Sequence, residues 1–156
     1  MSRMFENAWS FNGSLMGWHT SSVQNMSKMF YGAIHFNQYV GGFDTSSVIN
    51  MSKMFFGAHN FVGNGIQDWD TSSCVNMSRM FFRATRFNQR LDNWDVSRVL
   101  NMQSMFAFVE RQNPISGWVL NRDVDMTGIF RQDNVHYIED IPDENVLPLN
   151  RDDEDE

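Results

Sequence analysis

Apolar residues recur along this chain at helical spacing. Met26, Met29, Phe30 and Ala33 stand at i, i+3, i+4 and i+7, and Met51, Met54, Phe55 and Ala58 repeat the pattern, as do Met77, Met80, Phe81 and Ala84. That spacing puts four apolar side chains on one face of a helix. Asn25, Asn50, Asn76 and Asn101 precede the blocks, and asparagine is a good helix N-cap. Each block therefore predicts a short helix, held by its neighbours because two turns alone are marginal in water.

The blocks belong to a repeat. Copies begin at Met1, Met26, Met51, Met77, Met102 and Met126, 24 to 26 residues apart, giving five repeats and a degenerate sixth. The third copy carries one extra residue before Trp69 and recovers register at once, as a loop insertion would. In Trp69-Asp70-Thr71 and Trp94-Asp95-Val96 the outer positions are apolar or β-branched and the middle one acidic, a period of two that predicts a strand. Val23, Val48, Cys74 and Val99 then return the chain to the core. One strand and one short helix per repeat make an α/β repeat solenoid, a leucine-rich-repeat-like right-handed coil stabilised by stacking. Residues 1–138 form this single solenoid and 139–156 an acidic C-terminal tail.

The string Trp-Asp-(Thr/Val)-Ser-x-Val-x-Asn-Met-Ser-x-Met-Phe-x-x-Ala-x-x-Phe-Asn-Gln resembles the repeat of the BspA-type leucine-rich-repeat surface proteins over residues 1–118, and weakly over 119–138. The resemblance implies partner binding or surface adhesion, with similar repeats in protists and large DNA viruses.

Charge changes the picture at one end only. Of the 19 acids, nine lie in residues 139–156 against the single base Arg151. The remaining ten acids face eleven bases, so a near-neutral body carries an acidic tail. That balance argues against nucleic acid. Cys74 is the lone cysteine, which excludes an intrachain disulfide. No apolar run has signal-peptide or bilayer-spanning length, so an intracellular or assembly-associated location is expected over a secreted one.

Candidate chemistry is sparse. Eleven of the twelve methionines occupy two repeat positions on the inward face, all but Met16, as core fillers do. His19, His35, His59 and His136 share no repeat position. Cys74 takes the slot of Val48 and Val99 and reads as a buried apolar group. Asp44, Asp70 and Asp95 form a ladder; stacked carboxylates could take calcium, but each precedes Thr or Val and then Ser, a context for local turn bonding. Asn25, Asn50 and Asn76 satisfy the glycosylation pattern and are read as structural instead. No catalytic residue, metal or cofactor is expected, and a non-enzymatic protein is.

The outward face carries the candidate partner site. Arg3, Lys28, Lys53 and Arg79 form a basic row beside Tyr31, Phe56 and Phe82, with Arg83 and Arg86 adding charge in the fourth copy. Aromatics among bases are typical of protein interfaces. The tail residues Asp152, Asp153, Glu154, Asp155 and Glu156 are expected to bind such a basic strip. Met1 already occupies a core position, so the first coil is expected to be covered by a partner, by a second copy or by sequence upstream of it. The sum is an interaction protein or structural scaffold of a larger assembly, such as a virion or other large particle. The alternative is an adhesin-type module recognising a host protein or glycan.

Overall fold

A computed structural model describes residues 1–110, 115 and 117–132. Within each repeat, N–H groups leave the segment in strict alternation. Met26, Lys28, Phe30 and Gly32 donate to the carbonyls of Asn50, Ser52, Met54 and Phe56 in the following repeat, at 2.7–3.0 Å. The intervening Met29, Tyr31 and Ala33 donate to Met26, Lys28 and Phe30, each closing an i to i+3 turn. The same alternation runs from Met51 through Ala58 and from Met77 through Ala84. Each repeat is thus one tier, and the tiers are joined to one another by main-chain hydrogen bonds.

This arrangement overturns the expected α/β repeat solenoid. Among the described residues the regular structure is one 3-10 helix, Ile66–Asp68, with no α-helix and no strand. Parallel pairing is limited to the isolated bridges Asn25–Asn50, Asn50–Asn76, Asn76–Asn101 and Asn101–Asp125. The backbone explains the difference. Arg3, Lys28, Lys53, Arg79 and Ser104 have φ between 53° and 59°, and Gly32 and Gly57 have φ 67°. Residues 28 and 32 are third in the turns 26–29 and 30–33, where a type II turn needs positive φ. A left-handed residue every fourth position cannot belong to an α-helix. Trp94-Asp95-Val96, expected as strand, likewise lies outside any ladder.

The inward rows nevertheless hold their places. Met26, Met29, Met51, Met54, Met77, Met80, Met102 and Met105 are fully buried, although Met4 in the first tier is half exposed. Phe5, Phe30, Phe55, Phe81, Phe106 and Phe130 stack tier on tier with centroids 5.4–5.8 Å apart. A second column, Phe11, Phe36, Phe61 and Phe87, runs beside it at 5.8–6.2 Å. Near-parallel rings at these distances are the offset geometry that aromatic quadrupoles favour.

Polar ties repeat with the tiers. Thr20, Thr45 and Thr71 each donate a hydroxyl to the carbonyl of Asp44, Asp70 and Asp95 in the next tier, at 2.9 Å. Trp69, Trp94 and Trp118 donate indole N–H groups to Val40, Ile66 and Leu91 of the tier before, at 2.8–3.0 Å. The extra residue of the third copy is taken up around Gly65 and the 3-10 turn. There φ is +91° and a Cβ would lie 2.5 Å from the Gly41 nitrogen, so only glycine fits. The acidic tail, residues 139–156, lies outside the described residues.

Candidate interaction surface

The asparagines expected as helix caps do a related job in a different structure. The Oδ1 atoms of Asn25, Asn50, Asn76 and Asn101 accept from the backbone N–H two residues on, at 2.9–3.0 Å. These are Asx turns, which set the chain direction entering each tier. The aspartate ladder uses the same chemistry. Asp44, Asp70 and Asp95 accept from both the backbone N–H and the hydroxyl of Ser46, Ser72 and Ser97. Those hydroxyl and amide donors hold the Asp44 and Asp95 carboxyls below the usual carboxylate range.

Tyr31, Phe56 and Phe82, expected on an outward strip, are instead buried to 7%, 5% and 2% exposure. They stack on one another at 4.7 Å and form a separate small cluster with Ala107 and the flanking Phe108. The left-handed backbone at residue 28 and its equivalents turns this position against its neighbours above and below. What remains at the surface is the cations. Lys28 Nζ sits 5.3 Å from the Tyr31 centroid, and Arg83 Cζ lies 5.8 Å from Phe82 and 5.4 Å from Phe108. Lys53 and Arg79 are partly exposed, and Arg3 and Arg86 are exposed. Glu6 bridges the first two tiers, with its oxygens 3.7 Å from Arg3 Nη1 and 3.6 Å from Lys28 Nζ.

A second row is one that the sequence pattern did not single out. Ile49 and Leu100 are 45% and 46% exposed, with the partly exposed Val75 in the tier between them. Their backbones are joined tier to tier, Val75 donating to Ile49 and Leu100 to Val75, both at 2.9 Å. The available signal was the doublets Val48-Ile49, Cys74-Val75 and Val99-Leu100. Successive side chains in extended backbone face opposite ways, so the second of each pair must point out when the first is core.

The remaining candidate groups stay apart. Cys74 is fully buried and its thiol contacts the carbonyls of Ile49 and Asn76 at 3.5 and 3.6 Å. Burial pushes that thiol up to about 11. Desolvation, with the charge of Arg83 second, lowers the basicity of His59, while His35 Nδ1 lies 2.9 Å from the Trp9 carbonyl. Among the described residues no three His, Cys, Asp or Glu groups converge as metal donors, and no helix is long and apolar enough to cross a membrane.

No curated protein and no solved structure matches the chain. Residues 1–64 and 39–141 match the family described as "Mycoplasma protein of unknown function, DUF285". The two matched segments overlap and together run from residue 1 to 141, so this repeat protein belongs to the DUF285 family.

Proposed function

We propose that the protein is a non-enzymatic scaffold that joins a larger protein assembly, such as a virion or other large particle. The observation that carries this reading is the apolar row at Ile49, Val75 and Leu100. Large aliphatic side chains repeated in register on the surface of a tiered body form a contiguous strip, the kind of surface that partners cover. The basic row at Arg3, Lys28, Lys53 and Arg79 supplies a charged strip elsewhere in the same tiers. The alternative is an adhesin-type module recognising a host protein or glycan; it draws support from the resemblance of the repeat to BspA-type surface proteins. The buried, poorly ionised Cys74 and the scattered histidines favour binding over catalysis in either case.

The test uses the full chain as bait in material from its native source. The scaffold reading expects a partner in stoichiometric amount, lost when Ile49→Asp and Leu100→Asp are combined. Recovery unaffected by that double variant would sink the apolar row as the contact surface.

A further inference from the structure

We propose that Arg83, with Arg86 three residues on, is a docking point for an Asp or Glu side chain of a partner protein. This deepens the scaffold reading, and rests on it only in taking the partner to be a protein. The repeat itself marks the place. The last left-handed position of each block is Gly32 and Gly57 in the second and third tiers, both at φ 67°. In the fourth and fifth tiers it is Arg83 and Phe108, at φ 57° and 60°. Asn7 holds it in the first tier at φ 58°, and asparagine tolerates that region. Glycine adopts it freely, whereas a long or bulky side chain there is strained. Strain of this kind, held in two adjacent tiers, is found where a structure clamps a ligand.

What the exchange builds is a held guanidinium. Ala107 stands where Phe82 stands one tier earlier, and the Phe108 ring turns edge-on to Phe82, 5.2 Å away and inclined at 71°. Arg83 Cζ lies over both rings, 5.8 Å from the Phe82 centroid and 5.4 Å from that of Phe108. Rings pack a guanidinium through its flat face and leave its in-plane N–H fork to an acceptor. Among the described residues neither Arg83 nor the exposed Arg86 forms an ion pair. A carboxylate matches the fork with two parallel hydrogen bonds. Charge decides against a polyphosphate chain. Outside residues 139–156 ten acids face eleven bases, and nucleic acid is held by a run of cations that releases its counterions.

His59, in the tier before, reports on the site, because after desolvation the Arg83 charge is what lowers its basicity. The test is an NMR titration of the full chain with an acetylated hexaglutamate peptide. A bound carboxylate offsets the Arg83 charge, so the peptide should raise the His59 pKa and leave His19, in the first tier, unchanged. The peptide Kd should rise about tenfold in Arg83→Gly, as expected for loss of a hydrogen-bonded charge contact. Arg83→Lys, which keeps the charge and loses the fork, should weaken binding less. Arg83→Gly restores the residue of the two preceding tiers and should keep or raise the urea midpoint. A peptide that leaves His59 unmoved, or binds Arg83→Gly as well as the parent, would overturn the proposal. Tighter binding of inorganic phosphate or of a single-stranded oligonucleotide would overturn it too, by assigning the site to phosphate. So would a urea midpoint lowered by Arg83→Gly, which would make the guanidinium a structural prop. These measurements do not involve Ile49 and Leu100, so this inference and the apolar-row reading fail separately.

Discussion

Phe55 and Phe81 lie in adjacent tiers with centroids 5.8 Å apart and ring planes within 1° of parallel. Residues 26 apart in sequence thus meet as flat neighbours, and each is also flanked in its own tier, Phe55 by Phe61 at 3.9 Å and Phe81 by Phe87 at 4.0 Å. The column continues in both directions. A truncation in its middle therefore removes contacts to two other tiers at once.

Phe55→Ala is expected to cost about 3–5 kcal/mol, the range for emptying a buried aromatic site. Phe5→Ala, in the first tier where the ring is only partly buried, should cost less. Urea unfolding of the two variants measures the difference, and equal losses would contradict a column anchored at its centre.

Gly57→Ala isolates the price of the left-handed turn. A Cβ there meets only the Gly32 Cα, at 3.9 Å, so space is adequate while φ stays at +67°. The expected loss is about 1 kcal/mol, from conformation alone. Gly32→Ala should lose more, because its Cβ would lie 2.7 Å from Asn7 Oδ1.

Thr45→Val removes the hydroxyl bond to the Asp70 carbonyl while keeping the shape. A loss of about 1 kcal/mol is expected, the net value of one hydrogen bond. Val96 holds the same position natively and is buried, so the variant should fold, and thermal unfolding suffices to compare it with the parent.

Asp44 and Asp95 carry carboxyls with folded pKa values below their unfolded ones, through bonds from Ser46 and Ser97. A depressed carboxyl contributes stability above its unfolded pKa, about 4, and loses it as pH falls through the folded value. The urea midpoint should therefore drop as pH falls below about 4. Ser97→Ala should flatten that acid limb, and an unchanged limb would remove the Ser97 contact as its source.

Cys74 should resist thiol reagents in the native state at pH 8, because its thiol is buried and ionises only near 11. Labelling is expected to appear with denaturant, together with unfolding. Cys74→Val, which restores the residue found at 48 and 99, should change stability by less than about 1.5 kcal/mol.

Much of the arrangement is legible in the order of residues. Met26, Phe30 and Ala33 read as inward, and they are buried. Asp44 and Asp95 read as turn formers, and each binds the serine two residues on. The surface is less legible. Tyr31, Phe56 and Phe82 fall outward on a helical wheel but are buried, because the left-handed residue three places earlier redirects the chain. The outward place of Ile49 and Leu100 is hidden for another reason: an apolar doublet does not announce which member faces out.

The amino-acid order by itself determined the period, the identity of the core rows, the place where an extra residue is absorbed, and the Asx and aspartate turns. Each of these depends on side-chain chemistry within a few residues. Only the tertiary structure decided what backbone carries those rows. An i, i+3, i+4, i+7 spacing suits an α-helix and this run of i to i+3 turns with alternating inter-tier bonds equally well. The choice falls to donors such as the N–H of Lys28, bonded at 3.0 Å to Ser52, 24 residues away. Those bonds exist only when tiers stack, so they exchange helical bonds within a repeat for bonds between repeats, and no local propensity records that exchange.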